Sequence, residues 1–367
     1  MTPPEPPPIA VLSVTGSHRD VGRQIGEATA GVLRRETAID AFDARLPDGR
    51  SRAEQLALAA RYRDATRRAV PWIVDEIDGA AEGAGVDPLA LFARSVEEIW
   101  GESSMAHAGH GGSRGTEGRC SDLVAVPPLT ANGHAWVAHN NDLRPATESD
   151  VVAVEWRVPG EPVVFSLGIG PWISVGWNDA GLSLTGNELT PNDERIGVPR
   201  LLMVREQLTA TSLEQAVELA LRPDRASSYN TVYVSRDGRA LDIEGSATDA
   251  EISVPDGRGA LAHTNHYVCE RMLRYEGDPA YARLSGVRYA RAAELLAAAA
   301  PGTVDGTWLQ AALSDHATEP ALCRHDPAGD GSKTVFWCVA DVTAGEIAFG
   351  RGNPCRSMTQ TYRFGPG

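Results

Sequence analysis

Over the first hundred residues the apolar positions recur at helical spacing. A Pro-rich start and a short apolar run (residues 9–14) lead to Ser17, which can cap a helix carrying Val21, Ile25, Ala28 and Val32 on one face. A second helical tract covers residues 52–83, and Pro71 breaks it because proline removes a backbone donor and crowds the preceding turn. Asp87-Pro88 pairs an N-cap with an N1 proline and opens a helix with Leu91, Phe92, Val96 and Ile99 on one side.

The texture then changes. Residues 108–118 (AGHGGSRGTEG) read as a flexible surface loop. Short β-like runs follow at 123–126, 134–138, 151–158, 162–167, 172–177 and 182–185, separated by turn pairs such as Asn132-Gly133, Pro159-Gly160 and Ala180-Gly181. Helical patterning returns at 199–208 and 212–221, with Ser212 as a cap. Strands resume at 230–234 and 240–244 around Asp237-Gly238. Residues 286–300 and 308–313 read as helices, and 334–340 with 346–349 as a closing hairpin. Runs of strands alternating with runs of helices predict an α+β chain with antiparallel sheets. With no internal repeat and no low-complexity linker, residues 1–367 are expected to form one domain.

Composition narrows the function classes. Of 367 residues 42 % are apolar and 23 % charged, which excludes wholesale disorder. A net charge of −15 argues against nucleic acid and anionic membrane surfaces as partners, since both need a basic face. The most apolar stretch, residues 292–300, falls far short of the roughly 20 residues a bilayer requires. The N-terminus lacks the basic and apolar regions of a signal peptide. Five cysteines without a CxxC pair suit a reducing cytoplasm and argue against a disulfide framework or a zinc ribbon. No metal or other cofactor is expected.

Phosphate-loop, GxSxG and HExxH signatures are missing. His263 and His266, at i, i+3 on a strand end, are expected to face apart, and no carboxylate or cysteine stands near them at ligand spacing. His107 and His110 lie in the glycine-rich loop. Cys120 differs: it follows that loop at the boundary between the helical and β segments, and it opens a strand. Cleavage before it would break no packed element. It would also give the thiol its own α-amine, with an ordinary pKa of about 7.7–8.0, as general base.

From about residue 80 onward the chain resembles the isopenicillin N acyltransferase-like family of self-processing cysteine Ntn hydrolases. EIDGAAEGAG (76–85), Arg119-Cys120-Ser121, AHNND (138–142), GWNDAGLSLTGNEL (176–189), ASSYNTVYV (226–234), LAHTNHY (261–267) and LSGVRYAR (284–291) carry the resemblance through their shared order and spacing. Bile-salt hydrolases and penicillin V acylases share the same cysteine core. The resemblance implies a four-layer αββα sandwich made as a precursor and cut between Arg119 and Cys120. The pieces would be 1–119, helical, and 120–367, with the nucleophile at its new end. Cys120 matches the nucleophile and Asp142 the aspartate that orients its amine and thiol. Asn265 matches an oxyanion donor, Asn187 a position whose backbone N–H completes that hole, and Arg288 an arginine beside the nucleophile. Where bile-salt hydrolases place an arginine three residues before the aspartate, this chain has His139, without a permanent charge. His139, Trp172, Tyr229 and His266 are candidates for the substrate wall, although Trp172 and Tyr229 can equally pack the core.

The expected function is therefore a self-cleaving cysteine amidohydrolase or acyltransferase acting on a small N-acyl compound through an S-acyl enzyme, its two pieces staying associated. An acyl-CoA-dependent N-acyltransferase of specialised metabolism is the alternative within enzymology. An uncut binding protein and an uncut Cys–His hydrolase with His263 or His266 as base are the others. A homodimer is compatible with the sequence and not required by it.

Overall fold

The structure, a computed structural model, describes residues 7–100, 120–326 and 331–364. The glycine-rich stretch 108–118 and Arg119 lie outside the described residues. A strand, β1 (Ala10–Thr15), precedes α1 (His18–Ala28), α2 (Ala30–Thr37), α3 (Ile39–Asp43), α4 (Arg52–Ala69), α5 (Pro71–Ala84) and α6 (Pro88–Arg94). The strands β2 (Cys120–Ala125), β3 (Trp136–Leu143), β4 (Val151–Arg157), β5 (Val164–Ile169), β6 (Trp172–Asn178) and β7 (Leu182–Asn187) follow. After α7 (Arg200–Gln207) and α8 (Leu213–Ala220) come β8 (Asn230–Ser235), β9 (Ala240–Gly245), β10 (Ala250–Ser253) and β11 (Ala260–His263). The described chain closes with α9 (Pro279–Ala298), α10 (Gly306–Leu313), β12 (Lys333–Asp341), β13 (Glu346–Arg351) and β14 (Gln360–Arg363).

Local chemistry explains most of these boundaries. Ser17 and Ser51 form capping boxes with Asp20 and Glu54, and Asp87 accepts from the Ala90 amide. The helical run from Ser17 is broken at Thr29, whose hydroxyl bonds back to the Ile25 carbonyl at 2.7 Å. α9 begins at Pro279, ahead of the expected residue 286, because Asp278 accepts from the Ala280 and Tyr281 amides.

Two sheets result. The eight-stranded one runs β1-β4-β5-β6-β7-β8-β9-β10 and the six-stranded one β11-β2-β3-β12-β13-β14. Every pairing is antiparallel except β1 with β4. That departure from the antiparallel expectation follows from connectivity, because six helices and two strands of the other sheet intervene and supply the crossover a parallel pair needs.

Side-chain alternation sorts the strands into layers. Val124, Val137 and Cys338 of the smaller sheet meet Ala153, Phe165 and Leu167 of the larger one between the sheets. On the far side of the larger sheet, Val21 and Ile25 of α1 and Ala216 of α8 cover Val154, Trp156 and Tyr233. On the far side of the smaller, Ala292 and Leu296 of α9 and Leu309 of α10 cover Leu123, Trp337 and Val339. The order is helix, sheet, sheet, helix, the expected αββα sandwich.

Two further contacts matter below. α1 and α5 pack so closely that a Cβ at Gly22, Gly26, Gly79 or Gly83 would come within 2.0–2.2 Å of a carbonyl oxygen on the other helix. Near β1, the Ile9 amide donates to Gln360 Oε1 at 2.6 Å and its carbonyl accepts from Gln360 Nε2 at 3.0 Å. Among the described residues no helix is long and apolar enough to cross a membrane.

Candidate active site

Cys120 is the first residue of β2 and pairs with Asn141 of β3. The two-residue period puts Cys120 and Asp122 on the same face as Val124, and Asn141 and His139 on the same face as Val137, between the sheets. Ser121 and Asn140 face α9 and α10. Asn140 donates there to the Leu313 and Leu322 carbonyls, both at 2.9 Å.

A polar chain runs inward from the thiol. Asn141 Nδ2 lies 3.6 Å from Cys120 Sγ and 3.4 Å from His139 Nε2, and His139 Nδ1 lies 3.0 Å from Asp122 Oδ1. Because an ionised carboxylate only accepts, Nδ1 carries the ring proton and Nε2 accepts from Asn141. His139 is fully buried beneath the site and takes no place in its wall.

The backbone around Cys120 is held from the other side. Its amide donates to Asn265 Oδ1 at 2.9 Å, and Arg288 Nη2 donates to the same oxygen at 2.8 Å. Arg288 Nη1 reaches the Cys120 carbonyl and, at 2.9 Å, Ser121 Oγ. Asn265 is fixed in turn by its amide on Ser285 Oγ (2.7 Å) and its Nδ2 on the Glu188 carbonyl (3.0 Å). Arg291, one turn beyond Arg288, instead pairs with Asp315 and Glu294 near the surface. Asp142 stands one position past Asn141 and takes its described bond from Thr334 Oγ1 at 2.7 Å. Its Oδ2 is buried with no hydrogen-bond partner among the described residues, and none of its described bonds reaches Cys120. Burial raises the Asp142 pKa even though Arg288 and Arg324 pull it down.

Asn187 ends β7 on the opposing sheet. Its Oδ1 faces His263 Nδ1 at 3.0 Å and Asn230 Nδ2 at 3.2 Å, while its Nδ2 has no partner among the described residues. His263 Nε2 lies 2.9 Å from Glu244 Oε1. The expectation that His263 and His266 face apart is corrected here. β11 stops at His263, the chain turns, and the two rings stack with centroids 6.5 Å apart. Asp242, Glu244 and His263 bring their ligand-type atoms within 4.8 Å, carboxylates that sequence spacing had not placed there. His266 bonds to Ser285 Oγ at 3.0 Å; burial, with His263 and Arg288 nearby, lowers its pKa to about 4.

Cys120, Asn141, Asn187 and Tyr229 line an open cleft. Ile173, Leu184, Leu201 and Val204 make its apolar wall. A buried ion network closes one end. Arg200 reaches Glu97 (2.7 Å) and Glu188 (2.8 Å), and the Tyr229 hydroxyl donates to Glu97 at 2.6 Å. Trp172 does not reach the cleft; it is buried in the core between the sheets with Nε1 on Ser95 Oγ at 2.8 Å. Burial, reinforced by Asp122 and Asp142, pushes the Cys120 thiol well above its ordinary value against the pull of Arg288. In the uncut chain it is therefore a neutral thiol near pH 7 and needs a base.

Sequence reasoning missed Asn141, Asp122, Glu97 and Glu188. Asn141 lies inside the AHNND segment, and the alternation of β3 with Cys120 would have placed it beside the thiol. The Glu97–Arg200 pair joins residues a hundred positions apart and leaves no local signal.

A mutant and a variant of the conjugated bile acid hydrolase from Clostridium perfringens are each 12 % identical to this chain, cover 67 % of it and 97 % of their own length, and give TM-scores of 0.44 and 0.45. Penicillin V acylase from Agrobacterium tumefaciens is 12 % identical over 63 % of this chain and 83 % of its own, with a TM-score of 0.40. The family model for acyl-coenzyme A:6-aminopenicillanic acid acyl-transferase matches residues 129–353, a stretch that begins just after Cys120 and contains Asp142, Asn187, Asn265 and Arg288. With more than half its length matched, the chain belongs to the acyl-coenzyme A:6-aminopenicillanic acid acyl-transferase family.

Proposed function

We propose that the chain cuts itself between Arg119 and Cys120 and then works as a cysteine N-terminal nucleophile amidohydrolase on a small N-acyl compound. One observation carries this reading. The amide of Cys120 is held by Asn265 while its Sγ meets Asn141 in the wall of the cleft, so the bond to be cut and the future nucleophile share one cradle.

In the first step Sγ adds to the carbonyl carbon of residue 119, and the C–N bond breaks as the nitrogen takes up a proton. Water then opens the thioester, leaving a carboxylate on Arg119 and a free amine on Cys120. The new ammonium offers the unpartnered Asp142 Oδ2 a counter-charge, and as the free amine it is the base the buried thiol lacked. In turnover the thiolate adds to the substrate carbonyl, and the leaving amine takes the proton from Cys120. Water releases the acid and restores the thiol. Asn265 and the Asn187 amide are the candidate oxyanion donors, each such donor typically worth about 10²–10³ in rate. Ile173, Leu184, Leu201 and Val204 suit an apolar acyl group. Transfer of that group to an acceptor amine, with acyl-CoA as donor, uses the same S-acyl intermediate.

A second reading is favoured by the Asn141–His139–Asp122 chain. It is an uncut Cys–His hydrolase in which the His139–Asp122 pair holds Asn141 against the thiol and His263 or His266 would serve as base. Intact-mass measurement of the wild-type chain beside Cys120→Ala separates the two. Two wild-type fragments meeting at the 119–120 bond, with the mutant whole, are expected. An uncut wild type that releases acid from N-acyl amines would instead favour the uncut Cys–His mechanism.

A further inference from the structure

Four residues that this chemistry does not use converge at one point: His316 just past α10, Cys323 and His325 on the way to β12, and Cys355 after β13. His316 Nε2 lies 3.0 Å from His325 Nε2, and Cys323 Sγ lies 3.6 Å from both His325 Nε2 and Cys355 Sγ. Cys355 Sγ is 3.4 Å from His325 Nε2, and all four donor atoms fall within 4.8 Å of one another.

A tetrahedral zinc ion, with bonds of about 2.3 Å to sulfur and about 2.0–2.1 Å to nitrogen, sets the separations its ligands must have. These are about 3.8 Å between sulfurs, about 3.6 Å from sulfur to nitrogen and about 3.3 Å between nitrogens. Four of the six separations match this set to within about 0.4 Å, and the two from His316 to the sulfurs lie within 4.8 Å. A disulfide needs its sulfurs at about 2.05 Å, far inside the 3.6 Å found. Two thiolates and two imidazoles suit zinc above the harder divalent ions, and four protein ligands leave no position open for substrate.

We propose that His316, Cys323, His325 and Cys355 bind one structural zinc ion. The ion pins the residue between two of its ligands. Arg324 accepts the Thr334 amide at 3.1 Å and donates its own amide to Thr334 Oγ1 at 3.0 Å, and that hydroxyl holds Asp142 at 2.7 Å. Asn353 supports the site from outside, with Nδ2 3.4 Å from Cys323 Sγ. These four ligands would hold the ion whether or not Cys120 is the nucleophile.

Elemental analysis of the full chain, purified under mild reductant without chelator, tests it. About one zinc per chain is expected, retained by Cys269→Ser and lost from Cys355→Ser and His316→Ala. Exchange of the wild-type metal for cobalt(II) should give the visible bands of a tetrahedral site with thiolate charge transfer, a readout that requires no variant to fold. Chelation should lower the melting temperature, because the ion binds the folded chain alone. A wild type that takes up neither zinc nor cobalt, a Cys355→Ser chain with full zinc content, or a Cys323–Cys355 disulfide in the native protein would each overturn the proposal.

Discussion

Asp242, Glu244 and His263 titrate as a buried group behind the cleft. Burial raises the Asp242 pKa to about 7. Burial works against the charged His263 ring, yet Asp242 and Glu244 raise its pKa on balance. Both shifts have the same sign for stability. Between about pH 4 and pH 7 the folded chain keeps a proton on Asp242 that the unfolded chain has lost, so stability falls as pH rises through that window. The contribution of His263 is complete below about pH 6.5 and fades as pH climbs through its raised folded value. Glu244 is shifted down and acts only below about 4.5. Denaturant midpoints from pH 5 to 8 should therefore fall less steeply for Asp242→Asn than for the wild type; parallel profiles would refute the coupling. At this scale the sequence is readable where a residue sits inside a matched segment, as Asn265 and Arg288 do. It is silent where partners come from across strands, as Glu244 does for His263.

The α1–α5 seam makes the element-scale argument. Gly22 and Gly26 on one helix and Gly79 and Gly83 on the other remove the side chains that would hold the two backbones apart. Gly79→Ala would put its Cβ 2.2 Å from the Arg19 carbonyl, so the helices must separate. A loss of about 1–3 kcal/mol or more in urea unfolding is expected. Gly31 in α2 has open space around it, and Gly31→Ala should stabilise by up to about 1 kcal/mol through helix propensity. If both substitutions behave alike, close approach is not what these glycines serve. The segment 76–85 was legible as a resemblance, but its spacing of small residues acquires a cause only once the facing helix is seen. The helices capped by Ser17, Asp87 and Ser212 were legible because those caps act locally, whereas the Asp278 cap that starts α9 was not read. β10 and β14, four residues each, carry too little pattern to stand out, and the parallel docking of β1 depends on a strand that begins 136 residues after β1 ends.

For the whole molecule, the contacts across the 119–120 bond decide what the proposed cleavage would leave. β1 pairs with β4 along all six of its residues. Buried Arg205 joins Glu76 (2.9 Å) to Glu161 (2.8 Å), and Arg200 joins Glu97 to Glu188. Freeing either piece would break these pairs and open to water a core that both pieces build. A cut chain should therefore elute in native buffer as one species that contains both pieces, and separate only in denaturant. Two native peaks would contradict a shared interior. The clip between Ile9 and Gln360 adds a matter of timing. Ribosomes add about 5–20 residues per second, so Gln360 is made roughly ten to fifty seconds after Cys120. Over that interval β1 lacks its clasp, and a cut made then would release a half-folded fragment into the cell. If the chain cuts itself as proposed, the cut has reason to be slower than translation.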